Sequence, residues 1–189
     1  MTPHTGTGLL ETPRLILRPF ALEDAPCMFE RWASDPAVTL HLTWPPHASV
    51  EVTRSLLTQW VARYEDSRTY HWAIVLKGQT GPVGDISVVQ LMESEARGVR
   101  CGEIGYCLSR ALWGRGIMPE AFRAVRDYLF DTAGFMRLRS GHAAENPKSG
   151  RVMQKIGMNR VGIERRGGAD NTGVVDIVVY DLLPEDPRL

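Results

Sequence analysis

Cysteine is scarce in this chain: Cys27, Cys101 and Cys107 are the only three, with no C-x-x-C pair among them. An odd number without paired spacing excludes both a disulfide framework and a tetrahedral zinc site, and no metal is expected. Net charge is lacking too, since 22 Lys and Arg balance 22 Asp and Glu. Without a basic field nothing drives non-specific attraction to a phosphate backbone, so a nucleic-acid partner is not expected. No stretch approaches the roughly 20 apolar residues a membrane helix needs, and residues 1–10 carry neither a basic start nor an apolar core. These absences predict a cytoplasmic protein with no membrane partner.

What is present is an ordinary globular composition, 43% hydrophobic and 23% charged over 189 residues, enough for one domain with a sizeable core. Residues 1–10 read as a loose tail, 11–182 as the folded domain and 183–189 as a second tail. Leu15–Phe20 reads as a strand, followed by a helix with Met28, Phe29 and Trp32 on one face, stopped at Asp35-Pro36. Ser49 opens a second helix with the stripe Val52, Leu56, Leu57, Trp60 and Tyr64. Strands are expected over 70–76, 83–91 and 102–108, and a helix over 116–132. A strand over 138–143 leads to a helix opened by Asn146-Pro147 and closed by Gly157. A final hairpin turns at 167–171. The order β-α-α-β-β-β-α-β-α-β-β predicts an α+β fold, a mixed, mostly antiparallel sheet of about seven strands with helices on its faces.

The segment Glu103–Ala121 carries the most chemistry. A strand ends, Gly114 and Gly116 free the backbone for left-handed geometry, and a helix starts at once. Unpaired N–H groups and the positive end of the helix dipole make such a place suited to a phosphate or diphosphate, although a bare Gly-x-Gly can also be a turn and nothing more. The P-loop pattern G-x-x-x-x-G-K-[ST] is absent, and Pro119 occupies the third glycine of a G-x-G-x-x-G. A nicotinamide enzyme would also need a strand and an acidic ribose ligand roughly 20 residues on, where residues 131–135 read as a helix end.

Three blocks in order resemble the Gcn5-related N-acetyltransferases, in particular the branch that acetylates ribosomal-protein N-termini. They are Thr12–Pro19, Glu103–Ala121, and Asn146-Pro147-Lys148-Ser149 followed by Lys155-Ile156-Gly157-Met158. The acyl-CoA loop of that family usually opens with Gln or Arg, where this chain has Ala111. The resemblance implies acetyl-CoA as acyl donor and a strand over 102–108 that splays from its neighbour, exposing backbone groups of Tyr106 and Leu108 to pantetheine. It places the diphosphate on the amides of Gly114, Arg115, Gly116 and neighbours such as Met118, with Arg115 able to add charge. It sets Asn146 beside the pantetheine arm, a role compatible with helix capping, and gives Ser149 the part of protonating the departing thiolate. Glu103 matches a general-base position, or is a solvent-facing charge at a strand end. A second carboxylate expected near residues 167–168 is replaced here by glycines. A homodimer is a further implication of the resemblance.

Basicity narrows the acceptor. At pH 7 an α-amine is about 14% neutral and a lysine about 0.04%, a gap worth roughly 3.5 kcal/mol, so a site with a weak base suits an α-amine, such as a protein or peptide N-terminus. A polyamine or aminoglycoside acetyltransferase and a non-catalytic acyl-CoA sensor stay open as alternatives. His142, just before Asn146, is a candidate substrate contact, while Trp60 and Tyr64 read as core before groove.

Overall fold

The computed structural model describes residues 2–189 and contains an eight-stranded sheet in the order β1-β2-β3-β4-β5-β6-β8-β7. The strands are β1 (Leu10–Glu11), β2 (Leu15–Arg18), β3 (His71–Leu76), β4 (Gly84–Ser94), β5 (Val99–Leu108), β6 (Arg137–Ala143), β7 (Asn159–Asp170) and β8 (Gly173–Leu182). Every neighbouring pair is antiparallel except β5–β6. The expected α+β architecture is present, and the two-residue β1 accounts for the eighth strand.

Helices cover both faces. On one, α4 (Ile117–Asp131) and α5 (Pro147–Lys155) bury Phe122, Val125, Leu129 and Met153 against Leu15, Trp72, Ile86, Ile104 and Leu138. Of the apolar positions whose spacing predicts one helix face, Ala121, Phe122, Val125 and Leu129 are buried and Tyr128 is half-buried, and Ile117 adds a further buried residue at the helix start. Fully burying a side chain such as Phe122 contributes about 1.5–3 kcal/mol. On the other face lie α1 (Ala25–Met28), α2 (Pro36–Thr39) and α3 (Val50–Arg63); Met28 of α1, Leu57 of α3 and Trp32 from the turn between α1 and α2 pack with Phe20, Ala73 and Cys107.

Three expectations need correction. The first helix is broken into a 3-10 turn, α1 and a π-helical turn (Phe29–Ala33). Asp35-Pro36 not only stops it but starts α2, because Asp35 caps the amide of Ala37 and proline suits a first helical position. The glycines at 167–168 lie within β7, at an irregularity between Glu164 and Gly168, and the hairpin turns instead at Asn171-Thr172.

The two expected tails lie on the domain. Trp72 Nε1 donates to Gly8 O at 2.6 Å, Thr7 Oγ1 to Thr69 O at 2.8 Å, and Tyr128 OH to Gly6 O at 3.0 Å. Met1 is outside the described residues. At the other end Arg188 forks onto Asp131 at 2.6 Å, and Arg123 Nε donates to Leu189 O. No helix among the described residues is long and apolar enough to cross a membrane.

The sheet's parallel pair positions the site. β5 and β6 are in register at Cys101↔Arg137, Gly102↔Leu138 and Glu103↔Arg139, and there the pairing ends. β5 continues to Leu108 while β6 stays with β8 as far as Ala143, so the two strands open into a V.

Candidate active site

The inner edge of the V is β5. Ser109 N–H reaches Val83 O at 2.8 Å on the β4 side, so strand alternation turns the amides and carbonyls of Leu108 and Tyr106 toward the cleft. Ile104 O points the same way and accepts from Ser140 Oγ at 2.8 Å, which closes the apex. Trp113 Nε1 occupies Leu108 O at 2.8 Å. This leaves the Leu108 amide and both backbone groups of Tyr106 facing the opening.

Beyond Leu108 a 3-10 turn (Arg110–Leu112) leads to Gly114 and Gly116, whose φ values of 77° and 74° are left-handed. Glycine is required at both for that reason. The amides of Gly114, Gly116, Ile117 and Met118 have no backbone acceptor among the described residues. That of Arg115 is turned back to Leu112 O at 3.4 Å, so the cradle is not the run of consecutive amides the sequence suggests. The Arg115 side chain is exposed, while that of Met118 is core and only its main chain reaches the loop. Ala111 is exposed at the turn where the family carries a longer polar residue.

The opposite wall begins at the start of α5. Asn146 stands at the N-cap, yet its side chain makes no capping bond, which leaves the amide group unengaged beside the cleft. Ser149 is met by Tyr106, whose phenol lies 2.7 Å from Ser149 Oγ and 3.0 Å from Ser149 O. Burial pushes the Tyr106 phenol above its ordinary pKa and keeps it protonated, against the pull of the Ser149 hydrogen bond. Lys148 Nζ sits 4.8 Å from the Trp113 ring centroid, a second tie across the V. The phenol of Tyr106 and the Lys148–Trp113 contact escaped the sequence reading, because residues some 35 or 43 positions apart leave no local periodic signal.

His142 is not a substrate contact. Its ring is buried under α5, Nδ1–H donates to Ala143 O at 2.8 Å, and Gly150 lets the helix close over it.

Glu103 faces the other side of the sheet, together with Gly105 and Cys107. Its carboxylate is 3.9 Å from Arg139 Nε, and Arg139 Nη2 donates to Glu164 at 2.7 Å. Glu164 folds beneath Gly167, where an added Cβ would lie 3.3 Å from its Oε2. A carboxylate is thus present near residues 167–168 after all, contributed from three positions upstream. Over this face the β7–β8 tip docks on the α2–α3 loop, with His41 Nδ1 at 2.9 Å from Asp170 and Asn171 Nδ2 donating to Thr39 O and Trp44 O at 2.8 Å. Deeper, Asp85 joins His71 Nε2 at 3.0 Å and the Cys107 thiol at 2.8 Å. Burial, helped by the neighbouring Asp85 charge, drives that thiol far above its usual pKa and makes it inert. Trp60 packs on His71 and Phe20, and Tyr64 donates to His71 O at 2.8 Å, so both are half-buried and pack against the core.

Residues 14–159 match the model of the acetyltransferase (GNAT) domain. The probable N-acetyltransferase YjcK of Bacillus subtilis (strain 168) is 33% identical over 141 residues, 74% of this chain and 76% of that protein. Two solved structures share the fold. Mycobacterium smegmatis RimJ in complex with CoA-disulfide has a TM-score of 0.81 at 21% identity, covering 94% of this chain and 87% of its own. The ribosomal-protein-S5-alanine acetyltransferase from Vibrio fischeri has a TM-score of 0.81 at 19% identity, covering 94% and 97%. With a V-shaped cleft bordered by open main-chain groups, and a family match over most of its length, the chain belongs to the Gcn5-related N-acetyltransferases and is an N-acetyltransferase.

Proposed function

We propose that this enzyme acetylates the α-amine of a peptide or protein N-terminus, with acetyl-CoA and acceptor bound together on opposite sides of the sheet opening. Acetyl-CoA supplies the activated acyl thioester. The chain supplies amides of Gly114, Gly116, Ile117 and Met118 to hold the diphosphate, and Tyr106 backbone groups with the Asn146 side chain to align the pantetheine. The Leu108 amide opposes negative charge developing on the acyl oxygen, and Ser149, backed by Tyr106, returns a proton to the leaving sulfur. Juxtaposition of the two reactants supplies much of the rate.

The observation that carries the choice of acceptor is Arg139. It holds Glu164 at 2.7 Å and stands 3.9 Å from Glu103, so both carboxylates on this face are tied into one ion-pair cluster. An acceptor needing little deprotonation fits this face, which favours the α-amine over lysine by the roughly 3.5 kcal/mol separating their neutral fractions. The ribosomal-protein-S5-alanine acetyltransferase, which shares the fold, supports a protein acceptor.

The test is CoA-thiol release from acetyl-CoA with unblocked peptides, N-blocked lysine peptides, polyamines and aminoglycosides in parallel. Unblocked peptides are expected to give the highest kcat/KM. Faster turnover of any other class would overturn the choice of acceptor, and acetyl-CoA binding without transfer to any of them would overturn the catalytic scheme.

A further inference from the structure

The Thr12-Pro13-Arg14 segment has no part in the scheme above, yet hydrogen bonds tie it to the glycine loop and the start of α4. Thr12 Oγ1 donates to Glu120 Oε1 at 2.6 Å, the Arg14 amide to the same oxygen at 3.0 Å, and Arg14 Nε to Oε2 at 2.6 Å. Arg14 Nη1 then donates to the carbonyl of Arg115 at 3.1 Å. That carbonyl stands between the two left-handed glycines, and Arg14 Nη2 lies 3.6 Å from where a Cβ on Gly116 would sit. The turn itself is rigid, because Thr12 exchanges bonds with Leu15 at 2.9 and 3.0 Å.

Two consequences follow for an anion at this loop. A carboxylate in the first turn of α4 would by itself repel the diphosphate, and the Arg14 fork cancels its charge. Fixing the Arg115 carbonyl also holds the loop in one of the conformations open to its glycines, so the amides on either side need no reordering when the ligand arrives.

We infer that Arg14 is a positioning residue for donor binding, which holds the Gly114–Gly116 loop in its anion-accepting shape and neutralises Glu120 beside it. The inference rests on the proposed reading of this loop as the diphosphate seat. Its test is calorimetric titration of CoA into wild-type, Arg14→Ala, Glu120→Gln and Arg14→Ala/Glu120→Gln proteins. Arg14→Ala is expected to raise Kd about tenfold, the size of one charge-assisted hydrogen bond. The double variant is expected to bind more tightly than Arg14→Ala alone, because it removes the bared carboxylate; a merely structural tie predicts further weakening instead. In turnover with the best peptide, Arg14→Ala should raise KM for acetyl-CoA and leave kcat nearly unchanged. Should Arg14→Ala not fold, Arg14→Gln with and without Glu120→Gln carries the same comparison. No heat from wild-type protein would dismiss the diphosphate seat. With wild-type binding intact, equal affinity in Arg14→Ala, or a double variant no tighter than the single, overturns the role of Arg14.

Discussion

The Tyr106 phenol and the Ser149 hydroxyl, one on the open end of β5 and the other in the first turn of α5, meet at 2.7 Å across the mouth of the V. Because burial holds the phenol in its protonated form, Ser149 can give up its own proton while a second donor stands behind it. Ser149→Ala is expected to lower kcat about a hundredfold, the lower range for loss of a general acid, with KM for acetyl-CoA nearly unchanged. Tyr106→Phe should lower kcat by about tenfold, since the serine keeps its proton but loses its support. Initial rates of CoA-thiol release check both, and a wild-type rate in Ser149→Ala would remove the serine from the reaction.

Gly150 sets how close α5 comes to β6. An added Cβ would lie 2.5 Å from His142 Nε2 and 3.1 Å from its Cδ2, and that ring is held in place by Ala143 O. Gly150→Ala must therefore push the helix outward, at a cost of about 1–3 kcal/mol for overpacking. A melting midpoint lower by several degrees is the expected result in ligand-free protein. Since Ser149 precedes this position, kcat should fall as well, and a variant with unchanged midpoint and rate would show that the contact yields freely.

Sequence pattern exposed those parts of the site that are local. Gly114 and Gly116 announce left-handed geometry before a helix, and Asn146-Pro147 announces another helix start; both occur where expected. The stripe of α4 was legible because burial on one face imposes a 3.6-residue period. What escaped depends on partners far away in sequence. Residues 2–10 look like a tail by composition, but Tyr70, Trp72 and Tyr128 give them polar partners more than 60 residues distant. Glu164 was hidden for a different reason: the irregularity in β7 folds its side chain back under Gly167, so its position along the chain does not report where its carboxylate lies. The break in the first helix was likewise invisible, since Met28, Phe29 and Trp32 keep helical spacing across it.

The docking of the β7–β8 tip on the α2–α3 loop has its own pH signature. Desolvation raises the pKa of Asp170, but hydrogen bonds from Thr172 and His41 outweigh it, and the net shift is downward. A carboxylate whose folded pKa is depressed contributes stability that is fully present above its unfolded value, about 3.9, and is lost as pH falls through the folded value below that. Asp170→Asn should therefore lower the melting midpoint by roughly 2–4 °C near neutrality, the size of one hydrogen bond of about 1 kcal/mol in a chain of this length. The gap between variant and wild type should stay constant down to about pH 5 and narrow as pH falls below the unfolded value of about 3.9, closing only once the folded carboxyl is protonated as well. Melting curves of the two proteins from pH 3 to 7 measure this directly. A gap that stays unchanged down to the lowest pH would take from the carboxylate the role assigned to it.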